Sequence, residues 1–510
     1  MRQRLESYLY HFLWAVLLLL LPVTSLPLLS KLAGGSMVAP AAAIPLGLLL
    51  LIFGPLYFYR QPQLPRVVIP LFAFILLTVL STALAFFIEF PLFRDVDRLR
   101  NGLSGFLTLT IGVSFFLAAL VLTNSPERLA FFFQWINISG GLVLLWAGLQ
   151  SAFWYIGGDY PDWMREIQHL ISSSGSLYIR RTTGFAFEPS WLGHQLVVFY
   201  LPYWLAASFR RSSVFRWRLW KFTAENLLFG GGVLILVLSL ARSALLSFSL
   251  SVGWLILLTT ARFAGWLHHK LLAQRSQPLP KPASLLLKSS IWLVIFSLYA
   301  GILLAGTYIL TRLDPRMADL FRVLSNPYTP LEAANYLFFG ERVAFWITGL
   351  QIFNDFPLFG VGLENAGYFF PEKLPLFGWT VVESHKMYYT TALPNTLSLW
   401  IRLLCETGIV GFSLFLSFLY LLWQTSRVLI QNQQPLIATL ALTAQLTMIA
   451  FLMEGMSVDT FAFPYYWLIF GWLAAALNFN SNSPHLPREG QGVSPAGANG
   501  QTSLLSNERR

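Results

Sequence analysis

Charge is what this chain has least of: 11% of its 510 residues are Asp, Glu, Lys or Arg, against about 25% in an ordinary soluble domain. With 56% hydrophobic residues beside so few charges, a soluble fold is excluded and an integral membrane protein is implied. A single cysteine, Cys405, rules out a disulfide framework and a cysteine-ligated metal site. The chain also has no phosphate loop, no Gly-x-Ser-x-Gly element and no dinucleotide fingerprint, so nothing points to energy from cytoplasmic ATP. Internal repeats are absent as well.

The apolar runs are long. A spanning helix needs about 20 predominantly apolar residues, and by that rule about twelve spans are predicted. They fall near 8–29, 38–58, 67–88, 103–123, 129–156, 190–208, 225–240, 243–260, 288–311, 396–423, 434–453 and 461–478. The first follows Arg2 and Arg4 as a signal peptide would, but its length and the lack of a small-residue cleavage site predict a retained anchor. The expected fold class is therefore all-α and polytopic, with spans 1–9 over 1–311, a large loop at 312–395 and spans 10–12 over 396–478. A polar Ser/Gly/Pro/Asn tail over 479–510 is expected to be disordered and cytoplasmic.

The net charge of +11 invites a nucleic-acid reading, but the positions of the cations argue otherwise. With the N-terminus inside, the inside loops collect Arg60, Arg66, Arg128, the run Arg210, Arg211, Arg216, Arg218 and Lys221, and then Arg262, Lys270, Arg275, Lys281 and Lys288. That obeys the positive-inside rule and puts both termini in the cytoplasm. The charge then reflects orientation and contact with anionic lipid, with no nucleic-acid partner.

Two outside segments are long enough to carry function, 157–189 and 312–395. The larger holds "ERVAFWITGLQIF", whose Val343, Phe345, Trp346, Ile347, Leu350, Ile352 and Phe353 predict an amphipathic helix lying on or between the spans.

Four constellations could carry chemistry. Arg402 and Glu406, at i and i+4, read either as a self-neutralising pair or as groups lining an outside-facing cavity. Arg242 interrupts the apolar run from Leu227 to Leu258 and predicts a hairpin there; it is either a snorkelling arginine or a guanidinium fork for phosphate. In "YIRRTTGFAFEPSWLGHQL", Glu188 suits the start of a helix opened by Pro189, while Arg180, Arg181, Glu188 and His194 also supply the groups that phosphate binding and acid–base catalysis require. In the large loop, Arg342 opens the amphipathic helix, Gly360 and Gly362 permit a tight turn, and His385 is either a surface histidine or a base. "DVD" at Asp95–Asp97 has a metal-site spacing, but Arg94, Arg98 and Arg100 neutralise it locally; His268 and His269 have no carboxylate beside them. No metal or cofactor is expected.

The segments "RTTGFAFEPSWLG", "LSLARSALLS", "ERVAFWITGLQIFNDFPLFGVGLENAGYFF" and "PNTLSLWIRLLCETGIVGF", in this order, resemble the O-antigen ligase and O-antigen polymerase family of bacterial inner-membrane proteins. The resemblance implies transfer of a glycan from an undecaprenyl-diphosphate carrier on the periplasmic side, without nucleotide or metal. Ligases pass it to lipid A–core and polymerases to another lipid-linked repeat unit. It further implies that Arg242 and Arg342, with Arg181, hold the carrier diphosphate, and that Asn395, Arg402 and Glu406 lie at the mouth of the periplasmic cavity, against sugar. Family ligases carry a histidine where this chain has Pro394. That departure leaves His385, His194 or Glu188 as base and tilts the expectation towards polymerisation of O-antigen or exopolysaccharide. A flippase and a chain-length regulator of the same pathway are the partners such a role implies. The rival readings are a transporter, whose functional groups would sit at the membrane midplane, and an inactive scaffold.

Overall fold

A computed structural model describes residues 2–481 except 33–36, 60–63, 95, 274–279, 314–317, 320, 321, 324, 327, 338, 382, 383, 386, 388 and 390–392. Asp95 and the tail beyond 481 lie outside the described residues, so neither the "DVD" reading nor the expected disorder is addressed there.

Among the described residues the architecture is helical apart from one two-stranded hairpin. The principal helices are α1 (Arg2–Leu20), α2 (Ala43–Tyr59), α3 (Ile69–Leu84), α4 (Arg98–Leu122) and α5 (Pro126–Ala152). Next comes α6, which runs from Pro189–Gln195 through a π-helical turn, Leu196–Tyr200, to Leu201–Arg210. Then follow α7 (Ala224–Ser239), α8 (Arg242–Ala273), α9 (Lys281–Leu313), α10 (Gly340–Asp355), α11 (Leu399–Leu429), α12 (Pro435–Glu454) and α13 (Pro464–Ser481). A helix stands at each predicted span, and α10 lies in the large loop. Among the described residues, seven helical segments are long and apolar enough to cross a bilayer: Arg66–Phe87, Arg98–Leu122, Pro126–Gly157, Arg242–His268, Lys281–Tyr308, Leu399–Leu429 and Pro435–Glu454. The chain is a polytopic membrane protein.

Local chemistry sets the helix starts. Asp97 caps α4 by accepting from Leu99 N at 3.1 Å, so this carboxylate has a structural task. Ser125 caps α5 with Pro126 in its first turn, and Thr223 and Asn226 form a reciprocal capping box at α7. The predicted break before Arg242 is real: Leu240 sits at φ 49° between α7 and α8, and Arg242 is the first residue of α8.

With lipid outside, helix association depends on close contact more than on exclusion of water. Glycines supply it between α4 and α13: a Cβ on Gly112 would strike Trp467 and Phe461 O, and one on Gly471 would strike Phe116 O and Ala119. Aromatic rings fill the remaining core, among them Phe133 stacked on Tyr203 at 4.3 Å and Trp14 against Phe132 at 4.4 Å.

The loop helix is expected on or between the spans. α10 packs against α11, and its buried side is Ala344, Phe345, Thr348, Gly349 and Ile352, while Leu350 faces outward. Small residues on the inner side allow that approach; a Cβ on Gly349 would strike Ile401.

Candidate active site

Arg181, Arg242 and Arg342 gather towards one end of the bundle, and α7 fixes which end. Its N-terminus meets the basic segment 210–223, and its C-terminus meets Arg242. At about 1.5 Å per residue, the 16 residues of α7 separate the two by about 24 Å.

At the Arg242 end, Arg181 Nε donates to Ser239 O at 3.3 Å, and Thr182 N to Leu238 O at 3.2 Å, which docks the 157–189 segment on the α7–α8 turn. Arg242 Nη1 donates to Leu337 O at 3.0 Å, in the stretch just before α10. Arg342, in the first turn of α10, donates from Nη1 to Leu397 O and to Ser457 O, both at 3.2 Å. The three half-buried arginines, remote in sequence, are thus linked through short backbone stretches. Asn395 joins them: its Oδ1 accepts from Leu397 N at 3.2 Å, two residues from the carbonyl that Arg342 holds.

The three candidate bases are placed differently. Glu188 is the N-cap residue of α6, as Pro189 predicted, and its carboxylate accepts from Ser190 Oγ. It lies close to Tyr178, whose phenol is pushed up by burial and by the Glu188 charge, with Arg181 opposing. His385 is exposed, with Nε2 2.9 Å from Trp379 O. His194, also offered as a base, is 1% exposed, inside the bundle, with Nδ1 3.2 Å from Glu454 Oε2. Glu454 Oε1 in turn accepts from Ser247 Oγ at 2.7 Å, one turn along α8 from Ser243.

Arg402 and Glu406 also depart from expectation. Their predicted ion pair forms, Nε to Oε2 at 2.9 Å, but with Arg402 5% and Glu406 4% exposed it is enclosed by protein and not at a cavity mouth. Arg402 makes two further contacts, Nη2 to Glu364 Oε1 at 2.8 Å and Nη1 to Asp459 O at 2.6 Å. All three guanidinium nitrogens are thus engaged within the protein.

A break in α11 explains why this charge is buried there. Gly408, at φ 64° and ψ −173°, interrupts the helix and leaves carbonyls of the preceding turn without helical partners. The glycine-rich loop supplies them: Val361 N donates to Cys405 O and Gly362 N to Glu406 O, each at 2.9 Å, and Ser81 Oγ adds a bond to Glu406 O at 2.9 Å. In the other direction Ile409 N donates to Pro357 O at 2.9 Å. Gly360 and Gly362, at φ 68° and 83°, allow that approach. The two motifs "PLFGVGLEN" and "CETGIVG" are one interlocked unit.

Several groups at this end were not singled out from sequence: Glu364, Glu454, Asp459 and the connection 455–461. Burial pushes the Asp459 carboxyl up from its ordinary value, against the pull of Arg402, while Glu364 adds to the rise and Arg342 opposes it; its Oδ2 is buried without a hydrogen-bond partner. The available signal was the acid in "EGMSVDTF" between the last two predicted spans.

Fold and site together define a multi-pass helical membrane protein with a cluster of arginines at one end of its bundle. Residues 227–416, from α7 into α11, match the family model for O-antigen ligase. The match takes in Arg242, Arg342 and the interlocked motifs, and it bears out the resemblance to the O-antigen ligase and polymerase family. It supports glycosyl transfer of that type. No curated protein matches the chain.

Proposed function

We propose that this protein transfers a glycan from undecaprenyl diphosphate at the periplasmic face of the inner membrane, most simply to the end of another lipid-linked repeat unit. The observation that carries the reading is the linkage of Arg181, Arg242 and Arg342 at one end of the bundle. A departing diphosphate needs its growing charge stabilised as the glycosidic bond breaks, and guanidinium forks meet that need. The basic segment 210–223 at the opposite end of α7 supports a periplasmic assignment for the arginines. The helices at all twelve predicted positions support a twelve-span topology with both termini cytoplasmic.

In this mechanism Glu188 takes the proton from the acceptor hydroxyl. The hydroxyl oxygen bonds to the anomeric carbon, and the bond to the carrier breaks with its electron pair passing to the diphosphate, so configuration inverts. Glu188 is preferred over His194, which is enclosed, and over His385 because it follows Arg181 in the segment docked on the α7–α8 turn. Arg402 and Glu406 hold the loop that carries Glu364, and Asn395 orders the turn beside Arg342.

Transfer to lipid A–core is the second reading, favoured by the ligase description of the matching model. Pro394, in the place of the ligase histidine, favours polymerisation. The test supplies purified protein with a synthetic undecaprenyl-diphosphate oligosaccharide, with and without lipid A–core, and follows products by mass spectrometry. Lengthened lipid-linked glycan supports polymerisation, glycosylated lipid A–core supports ligation, and neither product overturns transfer in favour of transport.

A further inference from the structure

The segment between α6 and α7, "RRSSVFRWRLWKFT", takes no part in the arginine end of the bundle. Its centre is a hairpin with Arg218 opposite Thr223 and Leu219 opposite Phe222. That register sets Leu219 and Phe222 side by side on one face. Trp220, in the turn at φ 59°, is 89% exposed, and Trp217, Leu219 and Phe222 are more than half exposed. Arg216, Arg218 and Lys221 are exposed as well, and among the described residues none of the three forms an ion pair.

The base of the hairpin is fixed. Glu225, fully buried, accepts from Asn137 Nδ2 at 3.0 Å and from Val214 N at 3.2 Å, and Gln134 Nε2 reaches Val214 O at 3.4 Å. The capping box at Thr223 ties the second strand directly to α7. The exposed aromatics and cations are therefore presented by a tethered element.

Reach decides what that element meets. Each strand has two residues, and at about 3.3 Å per residue the tip stands less than about 10 Å beyond the helix ends. That is the depth of the headgroup layer, where Trp and Phe settle and Lys and Arg meet phosphate. We infer that the hairpin 216–222 is a binding site for anionic phospholipid headgroups, with Trp217, Trp220 and Phe222 at the acyl boundary and Arg216, Arg218 and Lys221 on the phosphates. The inference depends on the membrane fold and is independent of glycan transfer.

The test uses the full-length protein in nanodiscs of mixed phosphatidylglycerol and phosphatidylcholine, followed by mass spectrometry of retained lipid. A cation beside an anionic surface is worth about a fivefold preference. Wild type should retain phosphatidylglycerol preferentially, and Arg216→Gln/Arg218→Gln/Lys221→Gln should lower that preference at least tenfold while eluting as a monodisperse species. A fluorophore on Trp220→Cys reports depth, because the one native cysteine, Cys405, is buried. Quenching by lipid brominated near the headgroup is expected. Equal lipid retention by wild type and the triple variant overturns the proposal. So does quenching of the fluorophore by aqueous iodide alone, which would place the hairpin tip in water, clear of the lipid.

Discussion

Arg402 and Glu364, 38 residues apart in sequence, meet at 2.8 Å, and the same guanidinium holds Glu406 at 2.9 Å. The contact joins the glycine-rich loop to α11 just ahead of the Gly408 break. A buried charge left alone costs far more than the pair contributes, because the remaining ion keeps its desolvation penalty. Arg402→Gln strands Glu406 and should cost about 3–5 kcal/mol, seen as a large fall in Tm of the purified protein. Arg402→Met with Glu406→Met removes both charges and should recover much of that loss; a double variant no better than the single one would contradict the account.

Gly408→Ala should be among the least tolerated substitutions in α11. A left-handed φ costs an L-residue about 1–2 kcal/mol, and its Cβ would overlap Leu358 O. Gly253→Ala in α8 meets nothing within 4 Å and should change stability by less than about 1 kcal/mol. Thermal melts of the two variants compare the positions directly.

Replacing Arg242 or Arg342 with Ala should lower the transfer rate while leaving the oligomeric profile unchanged. Each loses a charge-assisted contact worth about 1.5–3 kcal/mol per hydrogen bond, so at least a tenfold fall in rate is expected from either. Lys at these positions keeps the charge but not the fork, and should restore only part of the rate. Full activity in either Ala variant would remove that arginine from the site.

Asp459 should leave a pH signature. Its folded-state carboxyl is raised, so its share of stability is present at low pH and is lost as pH climbs from the ordinary carboxylate value, about 3.9, through the folded value. The stability advantage of Asp459→Asn over wild type should therefore widen from pH 4 to pH 7. An advantage that narrows would mean that Arg402 and Arg342 outweigh burial.

Much of the fold was legible in the sequence because apolar run length is a direct demand of the bilayer. The twelve segments each meet a helix, and the hairpin at Arg242 falls where the charge interrupts the run. The site was less legible. Arg402 and Glu406 are paired as their i,i+4 spacing allows, yet their burial depends on Gly408 and on a loop nearly 40 residues upstream, which spacing along one helix cannot report. His194 sits near Glu188 in sequence, but helical continuation carries it into the core beside Glu454. Asp459 was invisible for the opposite reason: a lone acid in a short connection acquires meaning only when α10 and α11 are folded against it.

The most direct test of the central claim is binding of undecaprenyl diphosphate to the purified protein, compared with undecaprenyl monophosphate, in wild type and in Arg242→Gln/Arg342→Gln. The account predicts a clear preference for the diphosphate in wild type and its loss in the double variant. Equal binding of both lipids, or a diphosphate preference that survives the substitutions, would contradict it.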